Sequence, residues 1–189
     1  MLVPEIAVAH DSVTAAAGFN AGLLHPWLPA EQTMSLLAAA LLAGRYCGDR
    51  PMRVLAAFSI AFVAGLAIPP STFTLSTIGL CLMGLALAAS ALVALNASLP
   101  AVAVVAFTAA AGLLDGIASA PDPDHWDVVA AFVAGNVLRA ALIFSIPLVV
   151  ADWFIREKRW QWAKIGIRMV AAWIAAIALL MQALILATP

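Results

Sequence analysis

Residues 18–46 read GFNAGLLHPWLPAEQTMSLLAAALLAGRY, and the way this stretch divides decides the fold. Apolar residues fill both ends, but His25, Pro26, Pro29, Glu31 and Gln32 stand between them. Proline in a helix interior removes a backbone hydrogen bond and collides with the preceding turn, so a single regular helix across the stretch is ruled out. Residues 14–24 are too few to cross a bilayer, which takes about 20 apolar residues and no fewer than about 17. We therefore read residues 14–29 as a re-entrant half-helix and residues 30–46 as the first full span. Irregular backbone at such a depth needs cover from other helices or a wet cavity.

The rest of the chain agrees with a lipid solvent. Of its 189 residues, 65% are hydrophobic and 10% charged, and the mean hydropathy is +1.06. A soluble domain carries about 25% charged residues. Apolar stretches near residues 52–69, 73–95, 99–117, 126–151 and 163–187 supply five more spans. The expectation is a single integral membrane domain over residues 1–189: an all-α polytopic membrane protein of about six transmembrane helices, with a broken or re-entrant N-terminal helix. Residues 1–13 contain an Ala-x-Ala step at Ala7 and Ala9 but neither the basic nor the apolar region of a signal peptide, and they read as an extracytoplasmic arm. Cys47 and Cys81 lie far apart, outside any CxxC pair, and read as small apolar side chains.

Charge orients the spans. Arg45, Arg50 and Arg53 follow the first span, and Arg156, Lys158, Arg159, Lys164 and Arg168 follow the fifth. In a six-span chain these two groups fall on one side, which the positive-inside rule makes the cytoplasm. Glu5, Asp11, Glu31, Asp122, Asp124 and Asp127 fall on the other side, with no lysine or arginine among them. Both termini are then extracytoplasmic, and the expected location is a bacterial inner membrane. Trp153, Trp160 and Trp162 border the basic loop and Trp27 and Trp126 the outer boundary, as interfacial belts do. The segment DWFIREKRWQWAKIGIR at residues 152–168 is basic and aromatic, which suits anionic headgroups. Lipid and other membrane subunits are the expected partners, and nucleic acid is not.

No glycine-rich phosphate loop, nucleophile triad or spaced carboxylate pair is present, so neither an enzyme nor a bound cofactor is expected. Polar residues inside the membrane are the better guide, because their burial is costly and marks pathways or partners. They are His25, Glu31, Gln32, Asp115, Asn136 and Arg139. Arg139 lies about a dozen residues into its span, roughly 18 Å deep at 1.5 Å per residue. Asn136 shares its helix face, and Asp115 is the nearest carboxylate by connectivity. In the outer loop, Asp122, Asp124, His125 and Asp127 admit two readings. They gather divalent cations, or they form a solvated turn in which Asp124 or Asp127 caps the next helix.

These motifs resemble the HupE/UreJ family of hydrogenase and urease accessory membrane proteins, thought to be nickel or cobalt permeases. The resemblance rests on Gly18, Phe19, Gly22, His25 and Pro26, with His10 ahead of them, and on span number and orientation along nearly the whole chain. It also implies ligands that have been replaced. Pro29 stands in place of glycine, Glu31 of aspartate and Gln32 of histidine. In DGIAS, residues 115–119, Asp115, Ile117 and Ser119 occupy the three positions where a histidine run is implied. Nickel and cobalt take imidazole and carboxylate ligands, and His25, Glu31 and Asp115 are the candidates for a weak site. The favoured reading of His25 alone is a group that caps the helix break and satisfies a carbonyl freed there. Two functions follow: a structural, accessory or assembly subunit of a larger membrane complex, or a diverged nickel/cobalt permease serving metalloenzyme maturation.

The charge asymmetry has a direct test. In a Cys81→Ala background, Asp124→Cys is expected to react with a membrane-impermeant thiol reagent in intact cells. Ser98→Cys, between the third and fourth spans, is expected to react only after permeabilisation. The reverse pattern would overturn the orientation.

Overall fold

The computed structural model describes residues 15–24, 29–48, 50–68, 74–121, 125–156 and 161–187, which are helical with no strand. Seven helices follow in order: α1 (Ala15–Leu24), α2 (Ala30–Tyr46), α3 (Pro51–Leu66), α4 (Leu75–Ala94), α5 (Ala101–Ala118), α6 (Trp126–Arg156) and α7 (Gln161–Ala187). Four of them, α4 to α7, are long and apolar enough to cross a membrane. The 17 residues of α2 and 16 of α3 extend roughly 24–26 Å at 1.5 Å per residue. The arm at residues 1–13 and the break at His25 to Leu28 lie outside the described residues.

Local chemistry sets several of the ends. Pro51 opens α3, where its missing N–H would have had no partner. Thr74 caps α4 by accepting from the Thr77 backbone N–H through Oγ1 at 3.3 Å. Asn96, at φ 54°, and Gly48, at φ 56°, take the left-handed conformation just beyond α4 and α2, where helices commonly stop. Arg45 Nη2 donates to Asn96 Oδ1, tying these two ends together.

The middle of the bundle is α2. It packs against α3, α4, α5, α6 and α7, and Leu36, Ala38, Ala39, Ala40, Leu42 and Ala43 are essentially inaccessible. Polarity is distributed inside-out relative to a soluble protein. Gln32, Ser35, Asp115, Asn136 and Arg139 are buried, while Trp173, Leu180 and Ile60 are more than two-thirds exposed. Apolar side chains face outward where the solvent is hydrocarbon.

Glycines set the two closest crossings. In α3 and α5 a Cβ at Gly65, Gly112 or Gly116 would strike backbone of the other helix, at Leu113, Phe58 and Phe62 respectively. On α1 and α6, Gly18 meets Val128, Gly22 meets Phe132 and Gly135 meets Phe19 in the same way. Small residues permit this backbone approach, which is how membrane helices gain contact without a hydrophobic driving force. The α1 contacts run along the first ten residues of α6, 126–135. Gly44 of α2 meets Leu148 and Ala151 farther on. Thus α1 and α2 advance in the same sense along α6, as two halves of an interrupted helix.

A methyl group tests the crossing. Gly116→Ala is expected to lose about 1–3 kcal/mol of stability through overpacking. Gly166→Ala, whose Cβ would meet nothing within 4 Å, is expected to stay within about 0.5 kcal/mol of the parent. Thermal unfolding in detergent, followed by the monodisperse fraction, measures both.

Candidate functional site

Three helices bring polar side chains into one buried cluster. On α2, Gln32 and Ser35 are three residues apart; on α5, Asp115 and Ser119 are four apart; on α6, Asn136 and Arg139 are three apart. These spacings put each pair on one helix face. All six side chains are at most 3% exposed.

The cluster is wired in sequence. Gln32 Nε2 donates to the Ala118 carbonyl at 3.2 Å, and Ser119 Oγ donates to Gln32 Oε1 at 3.3 Å. Asn136 Nδ2 donates to the Ser119 carbonyl at 3.2 Å. Arg139 Nη2 then donates to Asn136 Oδ1 at 3.2 Å. In this way the terminal carbonyls of α5, which have no partner within their own helix, are met by side chains of α2 and α6. Asp115 and Arg139 are both buried in the cluster, at 0% and 2% exposure. Among the described residues, both Asp115 carboxylate oxygens, Arg139 Nε and Nη1, and Ser35 Oγ have no hydrogen-bond partner. Atoms left in that condition are ordinarily met by internal water, which takes two to four polar partners.

One turn deeper along α6 the polarity ends. Phe144 stacks on Phe58 of α3 with ring centroids 4.1 Å apart and planes 2° from parallel, and Phe62 lies 5.9 Å from Phe58. Thr108 and Ser90, buried in α5 and α4, turn their hydroxyls back onto Val104 and Ala86 carbonyls of their own helices.

The other sequence candidates fall elsewhere. Glu31 faces α4, its Cγ 3.8 Å from where a Cβ on Gly79 would lie, in a cleft of about 250 Å³ shared with Gln32, Ile78 and Ala118. Ile117 packs on Ile78 and Leu82 of that same helix. The structure therefore places Asp115 in one buried cluster with Arg139, without a direct hydrogen bond between them, and Glu31 in the cleft beside α4. Among the described residues no three of histidine, cysteine, aspartate and glutamate gather as a metal set. His125 and Asp127 are exposed around the start of α6, and the His125 carbonyl accepts from Val129 N–H at 3.0 Å. His10, His25, Asp122 and Asp124 lie outside the described residues.

Ser35 was missed in the sequence, although its spacing from Gln32 on an alanine-rich helix carried the signal. The depth of Arg139 also needs a second ruler. It lies 13 residues into α6, yet it is level with the first turn of α2 and the last turn of α5, because α6 begins ten residues earlier, alongside α1. At the opposite end of the bundle, burial and then the nearby Asp152 carboxylate push the Cys47 thiol up to about 11. Its Sγ lies 3.6 Å from Asp152 Oδ1, and it stays protonated at neutral pH.

In comparison with known proteins, the family model described as HupE / UreJ protein matches residues 1–181. No curated protein and no solved structure matches the chain.

The burial of opposite charges at Asp115 and Arg139 in one cluster has a consequence for stability. Removing one member of a buried charge pair strands the other, typically at a cost of about 3–5 kcal/mol, whereas replacing both with apolar groups is often neutral. Asp115→Leu is therefore expected to destabilise strongly, and Asp115→Leu with Arg139→Met to recover most of the loss. A double-mutant cycle read by thermal unfolding in detergent checks it; strictly additive losses would show that the two groups are uncoupled.

Proposed function

The chain belongs to the HupE/UreJ family of membrane proteins, and from that premise we propose that it is an accessory or assembly subunit packing within a larger membrane complex, and not a nickel or cobalt permease. A single observation carries this reading: the buried Arg139 guanidinium, 2% exposed, sits among the side chains that replace the implied histidines. Gln32, Asp115 and Ser119 occupy three of those four positions, and Arg139 is linked to Ser119 and Gln32 through Asn136.

Electrostatics set the magnitude. A divalent cation about 8 Å from a fixed positive charge is repelled by about 4 kcal/mol at an effective dielectric near 20. At 1.4 kcal/mol per decade this weakens binding by roughly a thousandfold. Ligand chemistry points the same way, since amide and hydroxyl oxygens are poor substitutes for imidazole toward nickel. The Phe58–Phe144 stack also supports it, because it leaves the polar cluster without a polar continuation along α6.

In this reading all of α2 to α7 cross the membrane, giving six spans, with α1 as the outer half of the interrupted first one. The arginine-rich end faces the cytoplasm of a bacterial inner membrane, and both termini face outward. Partners are other membrane subunits together with the surrounding lipid. The basic segment at residues 152–168 rests against anionic headgroups.

Metal binding and partner association separate this function from transport. Titration of the purified protein with nickel is expected to give no site tighter than about 10 µM, given the scarcity of imidazole ligands. Arg139→Leu is expected to insert but, with Asp115 stranded, to lose stability; Asp115→Leu with Arg139→Met, which strands no charge, is expected to fold, to associate less with co-purifying membrane subunits and to acquire no nickel uptake. A sub-micromolar nickel site abolished by His25→Ala would reverse the choice in favour of transport.

A further inference from the structure

At the basic end of the bundle a cavity of about 210 Å³ opens where the end of α2 meets the starts of α3 and α5. We propose that it holds an anionic phospholipid, the headgroup phosphate between Arg50 and Arg53 and the upper part of one acyl chain against Val54, Val102 and Val105.

Three observations lead to this occupant. The first is the state of the arginines. Arg156 is bound to Asp152 at 2.8 Å, Arg168 to the Ala94 carbonyl at 2.9 Å, and Arg45 to Asn96. Arg50 and Arg53 line the cavity and are exposed. Among the described residues neither guanidinium has a hydrogen-bond or ion-pair partner.

The second is the character of the walls. Val54 is buried at 2% and Val102 stands 79% exposed at the mouth. A free phosphate would gain nothing from these valines, and a zwitterionic lipid, whose phosphate is offset by its own ammonium, would gain less from the two cations than an anionic one. An amphiphile with an anionic head uses both. Arginine suits the task because its planar fork donates two parallel hydrogen bonds to phosphate oxygens.

The third is charge complementarity across the whole end. The sequence over residues 45–53 and 152–168 carries Arg45, Arg50, Arg53, Arg156, Lys158, Arg159, Lys164 and Arg168 against Asp49, Asp152 and Glu157, so eight positive charges less three negative leave +5. A field of that sign beside a membrane draws acidic lipid, by about 1 kcal/mol per basic residue near the surface. The cavity gives one such lipid a fixed place, separate from the basic segment at residues 152–168 and independent of what the family transports or assembles.

The experiment compares two lipids with identical chains. Full-length protein, delipidated in a neutral detergent, is mixed with phosphatidylglycerol or phosphatidylcholine, and retained adducts are counted by native mass spectrometry. One phosphatidylglycerol is expected to be held in preference to phosphatidylcholine and to persist in 10 mM inorganic phosphate. The Arg50→Gln/Arg53→Gln double variant is expected to lose about thirtyfold in affinity, about 2 kcal/mol for two charges at 1.4 kcal/mol per decade. Val102→Asp, a change at an exposed position, is expected to abolish the preference as well and serves if the double variant does not fold. Equal retention of the two lipids, displacement by inorganic phosphate, or undiminished phosphatidylglycerol binding by whichever variant folds would overturn the site.

Discussion

The bundle depends on the thinness of one helix. Five others pack against α2, and this crowding is possible because Ala38, Ala39, Ala40, Ala43 and Gly44 project almost nothing from its surface. Lipid gives no hydrophobic incentive for helices to associate, so close van der Waals contact has to supply it. A larger residue at Gly44 would strike the backbone of Leu148 and the side chain of Ala151. The same device recurs where α3 crosses α5 and where α1 lies on α6. The chain builds contact by removing side chains at crossings and puts its bulk on the lipid-facing surface.

A central helix creates a second requirement. Its first turn lies inside the bundle, where backbone and side-chain polar groups have little water to meet. Gln32 addresses this by bonding to the end of α5, and Asn136 completes the same end from α6. The hydrogen-bonded cluster therefore acts first as a joint, holding the start of α2, the end of α5 and the middle of α6 at one level. Arg139 is attached to that joint through Asn136 and does not close a direct pair with Asp115.

Much of this was legible in the sequence. Long apolar stretches gave α4 to α7 without ambiguity, since periodicity matters little when a helix is apolar on every side. The two prolines marked the separation of α1 from α2. The sharing of a helix face by Asn136 and Arg139 followed from their spacing. Which polar residues meet did not follow, because this depends on the register between helices far apart in sequence. Glu31 and Gln32 are neighbours in the chain, yet one faces α4 and the other α5; no local pattern distinguishes them. The level of Arg139 was obscured for a related reason. Counting inward from the start of α6 assumes that helices begin together, and α6 begins ten residues early because α1 lies beside it.

The replacements in the cluster make physical sense when taken together. A site lined with neutral imidazoles has room for a mobile cation and keeps its ligands only while that cation can come and go. Here the positive charge is covalently attached, on a side chain that remains protonated under all physiological conditions. The one carboxylate in the cluster, Asp115, faces a permanent countercharge that no exchange with solvent can remove. Gln32 and Ser119 spend their polar atoms on the end of α5 and on each other. A guanidinium that left this cluster would strand a buried carboxylate and break the bond to Asn136, so the arrangement favours a fixed bundle over one that opens and closes. Permanence of that kind is what the proposed role, a subunit packing within a larger membrane complex, would require.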